Sequence, residues 1–429
     1  MKGMGILAAS LAVALLCGGC CDFRSKKDRK LDKVLVVYQA GCNSLSGDLL
    51  GDINELRQGS LPSLKDRQAI VIVGHHPTSY GVYGVKTRPC IIRLYKDAKG
   101  TPVLDTLTQL GIDDLLTKKE VMARALNYVA ETFPSEHYGM IMSSHGTGWL
   151  PPDYYNNPDK YKAASSSPGL KSAPRIVFPT GPVPYTEPEP MPGPRTRTYG
   201  EEIVNEGGVR TSLEMGIADL AAAIPFRFDY ILMDVCLMGC VEVAYELKDK
   251  CRYLGFSPTE ILAAGLDYTK VADRLLKSGD PDIKGAMDDF YECYDAQRGD
   301  YKSASFTLVD CSKLEALAAA CKKAFAAGRE AIATVNPSKV QPFFRSYHHW
   351  FYDLQDILDQ AGADSREVQS ALKDCIAYSI HTAAFMPNYG GFTFRTYCGL
   401  SMYLPCNGSA YLDAYYKTLA WNKATSLVQ

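Results

Sequence analysis

Short, uninterrupted apolar runs separated by longer helical stretches constrain the fold of this chain more than any other feature. Four of these runs cover residues 34–38, 69–73, 138–142 and 230–233. Strands that are apolar along their whole length are buried on both faces, which is typical of a parallel sheet covered by helices on both sides. The sequence therefore predicts an α/β fold with a mostly parallel sheet.

The later part of the chain continues this pattern less regularly. We expect further strands over residues 252–256, 305–309, 391–394 and 400–404, and helices over residues 241–248, 313–329 and 369–384. These elements predict one main domain over residues 31–300, followed over residues 301–429 by the end of the sheet and a small C-terminal subdomain.

The N-terminus has the composition of a targeting segment. Lys2 precedes an apolar stretch that is shorter than the ~20 residues needed to span a bilayer. Residues 1–20 therefore read as a secretory signal of the lipoprotein type, with Cys20 as the lipid-carrying residue and residues 21–30 as a tether. Plain secretion, with Cys20 and Cys21 as spare thiols, is the alternative. Either case predicts a protein of the bacterial cell envelope, lipid-anchored or secreted.

Charge and cysteine usage exclude several classes of function. The formal net charge is -2 with both signs well mixed, so no basic stripe indicates nucleic-acid binding. Apart from Cys17 and Cys20 of the targeting segment, the remaining 12 of the 14 cysteines include no CxxC pair and no Cys/His spacing of the kind that zinc needs, so we predict no metal. Metal binding by the pairs His75-His76 or His348-His349 stays open as an alternative. We expect a monomer.

Residues 151–200 break the α/β pattern. This stretch holds twelve of the 24 prolines, which argues against a regular helix or a central strand. We interpret it as a long surface insertion on which exposed basic residues are open to proteolysis. Six basic residues are candidate cleavage sites: Lys160, Lys162, Lys171, Arg175, Arg195 and Arg197.

Two reactive side chains follow neighbouring apolar runs. His145 follows the run at 138–142, and Cys236 follows the run at 230–233. Ligand sites of parallel sheets form at the carboxyl ends of strands, so both residues are expected at one edge. The helix after Cys236 favours its thiolate, His145 supplies a proton, and the backbone at Gly146 and Cys236 offers donors to an oxyanion. Taken singly, either residue also has an ordinary structural reading.

Asp234 lies two residues before Cys236, so the two side chains share one face of the strand. A carboxylate at the end of a buried strand is costly without a partner. That partner is either an arginine or lysine of a substrate or an internal hydrogen-bond donor, and the sequence leaves both open.

Residues 234–239 and 242–247 resemble the nucleophile block of the clostripain-like cysteine peptidases, and residues 144–146 with 148–149 resemble their histidine block. The similarity extends to residues 52–56 and 399–405. In the loop after the first strand the sequence departs from the family pattern, because Cys42 replaces an expected acidic residue. The resemblance implies a caspase-like fold, peptide hydrolysis by a Cys236–His145 dyad through a thioester, and cleavage after arginine or lysine. It also implies maturation by a cut within the 151–200 insertion.

The family pattern places a second acidic pocket residue after the next strand. There Ala263 or Ala264 stands in its position, and Glu260 or Asp267 is the candidate substitute that would join Asp234. Some family members respond to calcium, but this sequence contains no oxygen-ligand loop that demands it, and no cofactor is predicted.

Protein or peptide substrates are the expected partners, together with a membrane reached through the lipid anchor. The principal alternative is a catalytically silent envelope lipoprotein that binds peptides on the same scaffold. The presence of Cys236, His145 and Asp234 argues against it. A thiol hydrolase acting on a non-peptide amide is a third hypothesis.

Overall fold

The computed structural model describes residues 30–77, 87–164, 176–186, 191–197, 201–345 and 350–429. The expected signal peptide, and all of the expected tether except residue 30, lie outside these ranges. Among the helices that are described, none has the length and apolarity needed to cross a bilayer.

A sheet of nine strands forms the centre of the molecule. The strands are β1 (Lys33–Ala40), β2 (Gln68–His75), β3 (Cys90–Lys96), β4 (Pro102–Gln109), β5 (Tyr138–Ser143), β6 (Phe228–Asp234), β7 (Cys251–Phe256), β8 (Ser305–Asp310) and β9 (Ile376–His381). Their spatial order is β9-β8-β7-β6-β5-β1-β2-β3-β4. The five central strands are parallel, and the two outer strands on each side pair antiparallel.

Helices connect and cover the strands. They are α1 (Ser46–Leu56), α2 (Lys119–Thr132), α3 (Pro158–Ala164), α4 (Ile217–Ala223), α5 (Val241–Leu247), α6 (Tyr268–Leu276), α7 (Ile283–Asp295), α8 (Leu314–Thr334), α9 (Leu354–Gln360), α10 (Arg366–Cys375), α11 (Ala410–Tyr416) and α12 (Ala420–Thr425). Short 3-10 turns lie at Gly299–Tyr301, Cys311–Lys313, Pro337–Lys339 and Pro405–Asn407.

Small strands outside the main sheet pair with one another. Val183–Pro184, Val209–Leu213 and Glu202–Glu206 form a three-stranded sheet. The two-stranded pairs are Thr196–Arg197 with Ile261–Leu262, Tyr352–Asp353 with Ser401–Met402, and Ala384–Phe385 with Phe392–Thr393.

The predicted α/β architecture is confirmed, and burial explains it. Strands β1 and β2 are buried along almost their whole length, as are β5 and β6. Apolar side chains around the sheet form one continuous core, which removes from water the surface that the apolar runs would otherwise expose.

The strand order positions the site. The chain leaves β1 to form β2 on one side and later returns to form β5 on the other, so the carboxyl ends of β1 and β5 flank a switch point of the topology. Asp234 at the end of β6 pairs with Ser143 at the end of β5, which in turn pairs with Gln39 of β1. The loops that follow these three strands therefore emerge at one edge.

Two secondary-structure expectations were wrong. The helix predicted over residues 369–384 ends at Cys375, and Ile376–His381 forms β9 instead, because antiparallel pairing with β8 satisfies its backbone groups in the sheet. Within the proline-rich insertion, Pro158–Ala164 forms a short helix, which is compatible with a proline because its first residue needs no amide donor. The proposed boundary at residue 300 stays a prediction.

Candidate active site

Cys236 lies in the turn between β6 and α5. Leu237 adopts a left-handed backbone conformation with φ of 61°, and its amide donates to the carbonyl of Thr259. Gly239 approaches the next loop so closely that a Cβ would lie 2.3 Å from the nitrogen of Pro258. This tight turn holds the thiol against the main chain of Ile261, whose amide donates to Sγ at 3.1 Å.

The thiol of Cys236 is completely buried. Burial, and next the negative charge of Glu260, raise its pKa well above the usual value. The thiol is therefore held in its neutral form while the site stays covered.

His145 follows β5 in a half-buried turn. Its Nε2 atom lies 2.6 Å from Oγ of Ser44, which belongs to the loop between β1 and α1. Burial, followed by the positive charges of Arg195 and Arg197, lowers the pKa of His145 to about 3. The imidazole is therefore neutral at physiological pH, as the thiol is.

The end of the proline-rich insertion crosses this edge of the sheet. Its residues Thr196 and Arg197 pair antiparallel with Leu262 and Ile261, and the amide of Ala263 donates to the carbonyl of Arg195 at 2.8 Å. The amide of Cys236 donates to the carbonyl oxygen of Arg197 at 2.9 Å. We call residues 191–197 the inserted segment; its last two residues, Thr196 and Arg197, form the short strand that lies across these strand ends.

The side chain of Arg197 fills a pocket beside Cys236. Its guanidinium makes a two-point contact with Asp52, at 2.9 and 3.0 Å, and donates to Asp234 at 2.6 Å. Nε and Nη2 also donate to the carbonyl of Ala263, at 2.9 and 2.7 Å. Arg197 and Asp234 are completely buried and Asp52 almost so. We call Asp52, Asp234, the Ala263 carbonyl and Gly265 the arginine pocket.

Gly265 leaves the room that the guanidinium occupies. A Cβ at this position would lie 2.4 Å from Oδ2 of Asp234 and 2.5 Å from Cζ of Arg197. Its φ of +69° also falls where only glycine is unstrained. A side chain here would close the pocket.

Two carboxyl groups face one guanidinium in this pocket, so two full negative charges would exceed the single positive charge. Burial raises the pKa of Asp52 to about 7, while the guanidinium of Arg197 opposes that shift. Asp234 is further satisfied by the hydroxyl of Tyr268, which donates to Oδ2 at 2.9 Å.

The structure distributes the predicted acidic residues differently. Of the three, Asp234 contacts the guanidinium of Arg197, whereas Glu260 bonds to Arg345 and Thr196. Asp267 caps α6 by accepting from Thr269. Glu260 and Asp267 were expected to supply the second carboxylate, but Asp52 of α1 occupies that place because α1 begins directly after the switch-point loop.

The six basic candidates have different surroundings. Arg195 donates to Asp48 and to the carbonyl of Ser44 at the surface. Lys160 pairs with Asp153 at 2.7 Å, also with its amine exposed. Lys162 lies in α3 without a described side chain, and Lys171 and Arg175 fall outside the described residues. Of the three candidates whose side chains are described, Arg197 is the one that contacts Cys236.

The histidine pairs have other surroundings. His75 contacts Glu202 through Nδ1, and its Nε2 lies 3.0 Å from the hydroxyl of Thr87. His348 and His349 lie outside the described residues. In the parts of the chain that are described, no three His, Cys, Asp or Glu side chains form a group able to hold a metal ion. Gly146 lies buried in the turn after His145, and its role as a donor stays a prediction.

Sequence reasoning missed Ser44 and Asp52. Both belong to the segment directly after β1, and that position was the available signal, since β1 borders the switch point. Asp48 and Asp52 also lie four residues apart on α1, which places both on one helix face.

Comparison with known proteins identifies the family of this chain. The model of the clostripain family matches residues 37–163 and 210–425, and the unmatched stretch between them includes most of the insertion. Clostripain of Hathewaya histolytica is 23% identical over 276 residues, which cover 60% of this chain. The matched part spans 44% of that relative's length.

Solved structures share the fold. An inactive zymogen of a C11 protease from Parabacteroides distasonis superposes with a TM-score of 0.68 at 22% identity, covering 92% of this chain and 98% of its own. A secreted C11 cysteine protease from Bacteroides thetaiotaomicron, solved in complex with an irreversible peptide inhibitor, gives a TM-score of 0.69 at 23% identity, covering 92% and 99%. With the family match over most of its length, this chain belongs to the clostripain family.

Proposed function

We propose that this protein is a cysteine endopeptidase that cleaves peptide bonds after arginine, and that the inserted segment occupies its active site as a substrate would. The observation that carries the proposal is the placement of Arg197. Its carbonyl oxygen accepts from the amide of Cys236 at 2.9 Å while its guanidinium fills the arginine pocket. Acyl-transfer sites place hydrogen-bond donors such as this amide at the carbonyl oxygen that becomes the oxyanion.

The contacts of Arg197 support the following reaction. Sγ of Cys236 attacks the carbonyl carbon of Arg197 and its proton passes to His145, while the amide of Cys236 stabilises the oxyanion. His145 then protonates the amine of Thr198 as the bond between residues 197 and 198 breaks, which leaves a thioester. Water, deprotonated by His145, attacks the thioester carbon, and the released thiolate takes back the proton.

The arginine pocket supports a preference for arginine over lysine. Asp52 accepts from two guanidinium nitrogens, and the Ala263 carbonyl accepts from two as well. A planar guanidinium presents donors in several directions at once, whereas a lysine ammonium concentrates its donors on one atom. A lysine ammonium would therefore bond to either the aspartates or the Ala263 carbonyl, but not to both at once.

The inserted segment lies against the amide of Cys236, whose thiol is buried and thereby kept neutral. We propose that a cut after Arg197 frees the site, which makes the intact chain a precursor and the cut chain the active enzyme. The protein would act in the cell envelope, secreted or lipid-anchored through Cys20, on proteins or peptides that carry an accessible arginine.

The test is the intact mass and N-terminal sequence of purified wild type beside Cys236→Ala, Arg197→Ala and Arg195→Ala. We expect wild type and Arg195→Ala to yield a new N-terminus at Thr198, and the other two to stay intact. In the native protein the mass of the first peptide reports a lipid on Cys20.

Fluorogenic peptides ending in Arg, Lys, Ala or Asp complete the test. We expect hydrolysis after arginine alone or foremost. A pure, folded Cys236→Ala protein that is still cut at Arg197 would contradict self-processing. A folded wild type that neither cuts itself at Arg197 nor, after the inserted segment has been cut by an added protease, hydrolyses any of these peptides would favour the silent peptide-binding alternative.

A further inference from the structure

A second buried ion pair lies next to the arginine pocket. Glu260 and Arg345 are 3% and 1% exposed, and they meet in a two-point contact, with Nε to Oε2 at 2.7 Å and Nη2 to Oε1 at 3.1 Å. Such a pair adds little net stability, because the cost of removing both charges from water offsets their attraction. A buried pair at the edge of a binding site is therefore better explained by what it binds than by stability.

Both partners of this pair bind the inserted segment. Oε1 of Glu260 accepts from the hydroxyl of Thr196 at 2.9 Å, and Nη1 of Arg345 donates to the carbonyl of Pro192 at 2.6 Å. Thr196 is the residue directly before Arg197, and Pro192 lies four residues before Thr196. The pair thus contacts one side chain and one main-chain group of the inserted segment.

The pair also lies close to the nucleophile. After burial, the charge of Glu260 is the strongest influence that raises the pKa of Cys236. The main chain fixes the alignment, because Thr196 pairs with Leu262 and Arg197 with Ile261, directly after Glu260 in the sequence. A peptide that places arginine in the arginine pocket in this register must therefore place its preceding side chain at Glu260.

We propose that Glu260, held in place by Arg345, forms a subsite that selects a hydroxyl-bearing residue, threonine or serine, immediately before the arginine of a substrate. The inference rests on the proposed function, because it treats Thr196 and Arg197 as the two residues before the cleaved bond. Arg345 also donates to the main-chain carbonyl that lies four residues before the hydroxyl-bearing residue. Preferred substrates then carry the sequence Thr-Arg or Ser-Arg.

The chemistry of the carboxylate explains the selection. Oε2 of Glu260 is satisfied by Arg345, while Oε1 accepts from both Arg345 and the threonine hydroxyl. A valine has nearly the shape of threonine but offers no donor, so it would cover Oε1 without replacing the lost hydrogen bond. Sites built to bond a hydroxyl discriminate strongly against analogues that lack it.

The experiment compares three fluorogenic peptides on the processed enzyme: Pro-Arg-Thr-Arg, Pro-Arg-Ser-Arg and Pro-Arg-Val-Arg. We expect kcat/KM for the threonine and serine peptides to exceed that for the valine peptide by about tenfold, since hydrogen bonds to charged groups are the stronger ones. The ratio of two substrates on one enzyme sample does not depend on the folded fraction.

Two variants test whether Glu260 and Arg345 cause the preference for the threonine and serine peptides over the valine peptide. Glu260→Gln should reduce it, and the double variant Glu260→Met with Arg345→Met, which replaces the pair by apolar groups, should bring it to about one. Glu292→Gln removes an exposed carboxylate and serves as the matched control, with the wild-type ratio expected. If the double variant does not fold, Glu260→Gln alone decides.

The outcomes separate this proposal from the proposed function. If wild type cleaves all three peptides equally well, the hydroxyl subsite is wrong while cleavage after arginine stands. If the ratio is high but unchanged in both variants, Glu260 is not the determinant. A folded wild type that neither cuts itself nor hydrolyses any of the peptides contradicts the proposed function instead.

Discussion

Arg195 and Arg197 are the same residue type two positions apart, and each pairs with an aspartate of α1. Arg195 meets Asp48, and Arg197 meets Asp52. The side chain of Arg195 is 56% exposed, whereas that of Arg197 is 0% exposed and has a second carboxylate and a carbonyl as further partners. The two pairs therefore differ mainly in their access to water.

That difference decides what each pair can do. An exposed pair competes with water and salt, so its net contribution is typically 0 to about 1 kcal/mol. In a buried pair, loss of one partner leaves the other charged group stranded, which typically costs about 3–5 kcal/mol. Recognition of arginine should therefore reside in the pocket around Arg197, and Arg195 should be dispensable.

Replacing Asp234 should have the largest effect. In Asp234→Asn the guanidinium loses its shortest contact in the completely buried part of the pocket, and the new amide adds donors where an acceptor is needed. We expect kcat/KM for arginine peptides to fall by about 1000-fold, the range found for one partner of a buried charge pair. Steady-state kinetics and the extent of self-cleavage are the measurements.

The control for Asp234→Asn is a readout that does not need the pocket. Its thermal unfolding should remain cooperative, and Cys236 should still be alkylated by iodoacetamide once the inserted segment has been cut by an added protease. An Asp234→Asn enzyme that hydrolyses arginine peptides within about tenfold of wild type would contradict the arginine pocket.

Asp52 should contribute less than Asp234 near neutral pH. Burial raises the pKa of Asp52 to about 7, so the carboxylate is only partly charged there. Asp52→Asn therefore removes a fraction of a charge and one face of the two-point contact. We expect kcat/KM for arginine peptides to fall by about 30-fold at alkaline pH, as measured by steady-state kinetics.

The same substitution has a pH signature. A carboxyl group with a raised pKa is neutral below that value and charged above it, so its attraction for arginine is lost as the pH falls through about 7. Departure of Arg197 removes a charge that lowers this pKa, which places the transition in the free enzyme at that pH or higher. The ratio of kcat/KM for wild type to kcat/KM for Asp52→Asn should therefore rise as the pH is raised through this range. A ratio that is constant with pH would contradict the assignment.

Sequence patterns located the parts of this site that are local. Cys236, His145 and Asp234 each follow or end a continuous apolar strand, and the rule that ligand sites form at the carboxyl ends of parallel strands predicts them at one edge of the sheet. The five central strands were also predictable, four of them from continuous apolar runs. Strand β9 was mistaken for helix because its pairing with β8 is a tertiary contact that no local signal reports.

The contacts made across the fold could not be predicted. Six basic residues share one proline-rich stretch with similar composition, and only the folded chain distinguishes Arg197 by burying it against α1 and β6. Asp52 was likewise hidden, because it lies 182 positions before Asp234 in the sequence. Glu260 was predicted as a pocket carboxylate, but it bonds to Arg345 and Thr196 rather than to the guanidinium.

Asp48→Asn should have the smallest effect, and it tests the exposed pair of the comparison, Arg195 with Asp48. Asp48 is 22% exposed and Arg195 56% exposed, so water already satisfies much of both groups. For peptides with arginine at the position of Arg195, we expect kcat/KM to fall by less than about threefold, and the loss should vanish in about 0.5 M salt because exposed pairs are screened. A loss as large as that of Asp52→Asn, persisting in salt, would mean that exposure does not separate the two arginines. Substrate selection would then extend to the surface of α1 rather than ending at the arginine pocket.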